Sequence, residues 1–411
     1  MKLAFQLFLA AFLVASVRCT SWDDVDNVLS AAVADKAFPG CVAVVGGEKG
    51  ILYSKAFGNF VFPGDSAPLT PGVNPPMTLD TIFDIASLSK VAITTTATAQ
   101  LYEAGYINLD DPVTSYLGSS YASHPGKDRI TIRNLMLHNA GYPPDPTPGF
   151  IAKEFGCPAT SQEHPPQDFT CQVKVYQAIY DQDLVRMPGV EYDYSDLSMM
   201  TMMYVIGRTA RQYNLVGGDD LLPECVARTA RAWHDPNASP SRPVDQCFFE
   251  AYVRLHVVAP LGLKHTGYLP SLVDRPNCAP TENDTYYRHE VVQGAVHDEN
   301  AYASGGIQGH AAVFTTAMEA ATLMHRLLFA APRYNPQPAR YLNETTVKYF
   351  TTVADPTFSS RALGWDLCGD PDRMIYTVFF TNRVYPTRQN MKIAKARTAF
   401  NTAVQKVVDG Q

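Results

Sequence analysis

The chain has 411 residues, 46% of them hydrophobic and 18% charged, with a formal net charge of -7. That is enough apolar material for one large core or two packed lobes, and it excludes a disordered or fibrous chain. The acidic balance, with no block of Lys/Arg to track a phosphate backbone, excludes nucleic acid as a partner. At the amino terminus Lys2 precedes an apolar run over 3–14, with Val17 and Cys19 before Thr20. The run is shorter than the roughly 20 apolar residues that span a bilayer, so it predicts a signal peptide over 1–19 and an extracellular or secretory-lumen protein. Arg18 before Cys19 argues against a lipoprotein, and no hydrophobic tail signals a glycolipid anchor, so no membrane span is expected after cleavage.

Ser21 is placed to cap a helix whose Val25, Val28, Leu29, Ala32 and Val33 share one face. Pro39-Gly40 opens two β-rich runs, 41–45 and 51–57, joined by a glycine-containing turn, and these predict a hairpin. A strand-like segment from Thr81 passes into a helix through Ser87 that continues over small residues to Gly105. With Thr94 to Ala99 weak in helix preference, burial must hold that helix. The middle of the chain, 110–290, reads as a helical lobe broken by Pro-rich loops, with an inserted, disulfide-stapled loop and helix over 217–246. Near the carboxyl end, 374–381 is a short apolar strand, followed by a helix with Ile393, Ala396, Phe400, Val404 and Val407 on one stripe. Strands beside amphipathic helices at both ends predict an α/β (α+β) lobe assembled from 20–109 and 291–411.

Past the leader, the cysteines are Cys41, Cys157, Cys171, Cys225, Cys247, Cys278 and Cys368. In an oxidising compartment the close pairs Cys157/Cys171 and Cys225/Cys247 are the expected disulfides, and the odd total leaves one thiol unpaired. Sequons at Asn283 and Asn343 suit a secreted glycoprotein; the one at Asn237 is weaker because Pro240 follows it.

The chemistry centres on Ser87 and Lys90, one turn apart at the start of a buried helix and facing the same way. A serine hydroxyl is a weak nucleophile until a neighbour takes its proton, and a desolvated lysine can do so. The helix start also offers N–H groups and partial positive charge to a developing oxyanion. By itself the pair is a weak signal and reads more simply as a helix cap followed by a surface lysine. Downstream, Tyr194-Ser195-Asp196 opens a second apolar helix over 197–207, after a Pro188-Gly189 turn. There a tyrosine can join the proton relay, and a short polar side chain two residues on can bond the lysine and the substrate.

These segments resemble the serine β-lactamase-related family: class C β-lactamases, low-molecular-weight penicillin-binding proteins and related esterases. The likeness runs through the 83–90 segment with Ser87 and Lys90, Leu135 to Gly141, Tyr194 to Leu197, Pro260 to Leu263, Val296 to Ala301, Gly305 to His310 and Thr381 to Pro386. The resemblance implies an antiparallel sheet flanked by helices, a second helical lobe and a cleft between them where serine forms an acyl-enzyme on an amide or ester. The expected substrates are β-lactams, D-amino peptides or small esters. It makes Ser87 the nucleophile, with Lys90 and Tyr194 moving its proton, Asp196 supporting them where many members carry asparagine, and His297 and His310 near the cleft. A carboxylate beside Lys90 favours the ammonium, which points to Tyr194 as the base. No cofactor or metal is expected. A G-x-S-x-G elbow is missing, His289-Glu290 lacks a second histidine, and Gly305, Gly306 and Gly309 do not form a nucleotide loop.

The sequence departs from the family at its third box, Lys or His followed by Thr or Ser and Gly, on a strand that lines the cleft. His265-Thr266-Gly267 has the letters but falls too early in the chain and reads as a decoy. The box belongs between Trp365 and Met374, where a strand pair with its turns needs roughly 15 to 20 residues and too few are present. One sheet hairpin therefore reads as missing, with the junction at Gly369 and Asp370. This leaves a catalytically inactive binding or structural member as the alternative function.

Overall fold

The computed structural model describes residues 21–157, 159, 171–232, 244–329, 341–365 and 374–410. The leader over 1–19, the Asn237 sequon, Cys368 and the Gly369–Asp370 junction lie outside them. Helix α1 (Asp23–Ala34) leads into the hairpin of β1 (Gly40–Gly47) and β2 (Gly50–Gly58). Ser21 accepts the N–H of Asp23 at 3.1 Å, one residue ahead of the N-cap, which is Trp22. Strand β3 (Ile82–Asp84) delivers the chain to a π-helical turn, Lys90–Thr95, continuous with α2 (Thr96–Glu103). Then come α3 (Asp196–Gln212), α4 (Val244–Tyr252), β4 (Phe314–Thr316), α5 (Ala317–Leu328), β5 (Ile375–Thr381) and α6 (Ile393–Asp409), with further helices between.

The main sheet has the order β2-β1-β5, all antiparallel, with Val42 opposite both Ala56 and Phe380. Every residue of β1 is buried, because alternate side chains serve two cores. Cys41, Ala43 and Val45 pack with Val25 and Leu29 of α1 and Phe400 and Val404 of α6. Val42 and Val44 face the large core that runs on into the helical lobe. This is an antiparallel sheet flanked by helices, closed by strands from both ends of the sequence.

In the helical lobe α3 is buried along most of its length and crosses α4 closely. A Cβ at Gly207 would stand 1.8 Å from the Asp245 carbonyl oxygen, so only glycine allows the approach. The buried Asp245 carboxylate is paired with Arg208 and Arg211 at 2.6 and 3.1 Å. Disulfides join Cys157 to Cys171 and Cys225 to Cys247, while Cys41 and Cys278 are buried free thiols. No helix among the described residues is long and apolar enough to cross a membrane.

Candidate active site

The chain reaches Ser87 through a fixed turn. Ala86 sits at φ 45°, a left-handed conformation unusual for a residue with a Cβ, and its N–H donates to Asp84 Oδ1 at 2.8 Å. The other Asp84 oxygen accepts the N–H of His297 at 2.7 Å. Burial raises the Asp84 carboxyl above its ordinary range, and these two donors only partly offset it. The turn leaves Ser87 exposed, and its N–H has no partner among the described residues. That N–H is the donor the helix start offers to an oxyanion.

Lys90 is 2% exposed, and its Nζ makes two hydrogen bonds and one ion pair. Nζ lies 2.9 Å from Ser87 Oγ, 2.9 Å from the His310 carbonyl oxygen and 2.6 Å from Asp196 Oδ1. The glycine-rich segment carrying that carbonyl is bound to the same helix. Thr94 donates its hydroxyl to the Gly309 carbonyl at 2.6 Å, and Ser89 Oγ accepts the N–H of Val313 at 3.1 Å. Gly309 also lies against α3, where a Cβ would stand 2.2 Å from the Met199 carbonyl oxygen.

Tyr194 is 36% exposed, with its ring 4.9 Å from Lys90 Nζ. It stacks on His138 at a centroid distance of 4.7 Å. The Tyr194 turn is shaped by the loop before it: His138 Nδ1 accepts the N–H of Ser195 at 3.1 Å and the His138 carbonyl that of Asp193 at 2.8 Å. Ser195 Oγ donates to the Pro143 carbonyl at 2.6 Å. Burial, then the charges of Arg361 and Lys90, hold the imidazole of His138 well below its usual range, so the ring is neutral with its proton on Nε2.

Asp196, Asp298 and His310 bring ligand-type atoms within 4.8 Å of one another. Lys90 Nζ reaches this cluster at Asp196 Oδ1, 2.6 Å away. His310 Nε2 lies 3.1 Å from Asp298 Oδ1. Burial pushes Asp298 up, but His310 and Lys90 outweigh it and hold the carboxyl well below its ordinary range.

The structure thus gathers Ser87, Lys90, Tyr194, Asp196 and His310 in one cluster. The His297 side chain turns elsewhere, to Glu282 at 2.8 Å in a network with Arg388 and Glu299. Thr266 of the His265-Thr266-Gly267 run spends its hydroxyl on Glu319 at 2.6 Å, and Gly267 bridges to Phe314. Sequence reasoning missed His138, Asp298 and Arg361. His138 and Asp298 lie within segments that carry the family resemblance, but Arg361 has no motif around it.

The fold around this serine is that of the β-lactamase/transpeptidase-like hydrolases. The Beta-lactamase family profile matches residues 25–224, from α1 to beyond the Tyr194 turn. A "Putative D-alanyl-D-alanine carboxypeptidase" of Escherichia coli (strain K12) is 27% identical over 356 residues, covering 82% of this chain and 70% of that protein. Among solved structures, EstCE1, a hydrolase with promiscuous acyltransferase activity, superposes with TM-score 0.59 at 19% identity, covering 93% of this chain and 97% of that one. The LovD6 mutant of simvastatin synthase from Aspergillus terreus gives TM-score 0.62 at 16% identity, over 96% of this chain and 100% of that one. The chain belongs to the β-lactamase family. It is a serine hydrolase of that family, whose hydrolases and transferases act on an ester or amide.

Proposed function

We propose that Ser87 forms an acyl-enzyme with a β-lactam, a D-amino peptide or a small ester, in a protein made through the secretory pathway. The observation that carries this reading is the exposed Ser87 held, through its hydroxyl, 2.9 Å from a buried lysine that also bonds the His310 carbonyl and pairs with Asp196. Lys90 is held as the counter-charge of the Asp196 carboxylate, 2.6 Å away, which leaves Tyr194 to act as the base. The Ser87 oxygen bonds to the carbonyl carbon as its proton passes to Tyr194. The same proton then goes to the leaving nitrogen or oxygen, and water releases the acyl group. Two disulfides and the apolar amino-terminal run support the secretory route.

Incubation with a fluorescent penicillin and with a nitrophenyl ester tests the reading. Covalent labelling or ester turnover is expected in the native chain and lost in Ser87→Ala. A folded native chain that neither labels nor turns over would make it a non-catalytic member, the reading favoured by the short stretch between Trp365 and Met374.

A further inference from the structure

We propose that Arg361 is a positioning residue for acylation: its guanidinium, packed against the ring of Tyr194, stabilises the negative charge that the phenolic oxygen must carry to accept the Ser87 proton. The proposal rests on the acyl-enzyme reading above. To accept the Ser87 proton the phenolic oxygen must bear negative charge, and it bears it again once the proton has gone to the leaving group. A fixed cation beside it therefore acts on both halves of the step.

Arg361 is only 6% exposed. Its Cζ lies 5.9 Å from the ring centroid of Tyr194 and 5.9 Å from that of Tyr192. Among the described residues no carboxylate pairs with it, and its buried Nε has no hydrogen-bond partner. Burying a guanidinium without an anion is unfavourable, and among the described residues the groups that can offset its charge lie in the site. The neighbouring acids are engaged elsewhere: Asp196 holds Lys90 at 2.6 Å, and Asp193 holds Arg186 at 2.6 Å. Asp145, on the loop after His138, is raised by burial and then by the charges of Asp196 and Asp298. His138, stacked on the other part of the ring system, is neutral. Of the two tyrosines beside Arg361, Tyr194 is the one with a second cation, Lys90, over its ring.

The arginine is also held where a positioning role requires it. Its N–H donates to Ser359 Oγ at 3.2 Å, and its carbonyl accepts from Ala354 at 3.1 Å. Three residues on, the Gly364 N–H donates to the Met136 carbonyl at 2.9 Å. Gly364 has φ +80°, and a Cβ there would stand 2.0 Å from Thr95 Oγ1, so this loop is seated on the π-helical turn that carries Lys90.

The test is ultraviolet difference titration of the phenolate in the native chain, Arg361→Met and Arg361→Lys, with Tyr194→Phe subtracted to isolate Tyr194. Acylation by a nitrophenyl ester is followed across the same pH range, and urea midpoints check the fold. In Arg361→Met the Tyr194 transition is expected to move up by about one pH unit or more, with the rising limb of the acylation profile moving alongside it. Arg361→Lys should restore most of both. A Tyr194 transition that stays in place in folded Arg361→Met overturns the proposal, whether or not the chain acylates. A transition that moves while the native chain never labels at Ser87 supports the action of Arg361 on Tyr194 and overturns the acyl-enzyme reading instead.

Discussion

Lys127 is as buried as Lys90 but lives in a different chemistry. Its Nζ donates to the carbonyls of Ile179 and Tyr180 and lies 4.5 and 5.5 Å from the rings of Tyr121 and Tyr142. Burial lowers its pKa to about 8 from an ordinary 10.5, against the pull of Asp181 and Asp183. The unfolded chain therefore binds more protons between those values, and stability should rise as pH rises through about 8 toward 10.5. Below pH 8 the lysine is charged in both states and contributes no slope. Urea midpoints measured from pH 7 to 10 should climb in the native chain, and Lys127→Met should remove most of that climb. Equal slopes in the two proteins would show that Lys127 titrates as an ordinary lysine. At this scale the sequence disclosed the residues that stand in short local patterns: Ser87 with Lys90, and Tyr194 with Asp196. It did not disclose Arg361, because nothing in Ser360-Arg361-Ala362 tells an exposed arginine from one folded against a tyrosine 167 positions away.

Among the elements, the helix after Ser87 was legible in its position and its burial but not in its winding. Its opening stretch is π-helical, with wider turns than an α-helix, a form that recurs at functional sites. The hydrophobic pattern could not signal this, since Lys90, Ile93, Thr94 and Thr95 are buried under either winding. What holds the turn are bonds to a distant loop, through Thr94 to Gly309 and Lys90 to His310. Gly309→Ala tests that coupling. Its Cβ would meet the Met199 carbonyl of α3 at 2.2 Å, so the loop must withdraw and take the acceptor of Lys90 with it. The expected cost is about 1–3 kcal/mol in urea unfolding, together with loss of acylation. Gly218→Ala, with nothing within 4 Å, should stay within about 0.5 kcal/mol as a control. Matching midpoints for the two variants would show that the loop has slack.

On the scale of the whole molecule, β-rich and apolar runs beside amphipathic helices at both ends of the sequence disclosed the sheet, because a strand buried on both faces leaves a short continuous apolar run. The sheet's outer limit is less legible. Among the described residues β5 pairs only with β1, on one of its edges. A buried strand edge left open costs roughly 1–3 kcal/mol for each unpaired group, so a further strand is expected beside it. Sequencing transcripts across the codons for Gly369 and Asp370 should reveal a longer form that encodes this strand, with a Lys or His, Thr or Ser, Gly box. Uninterrupted coding sequence at that junction would instead favour the inactive member. The same sheet also sets a schedule for the growing chain. Gly47 and Ile375 face each other across β1 and β5, so the nascent β1–β2 hairpin must wait through about 330 further residues for its neighbour. At the usual 5–20 residues per second that is some tens of seconds, with one long side of an entirely apolar strand uncovered. Until β5 emerges, that edge of β1 is without its strand partner.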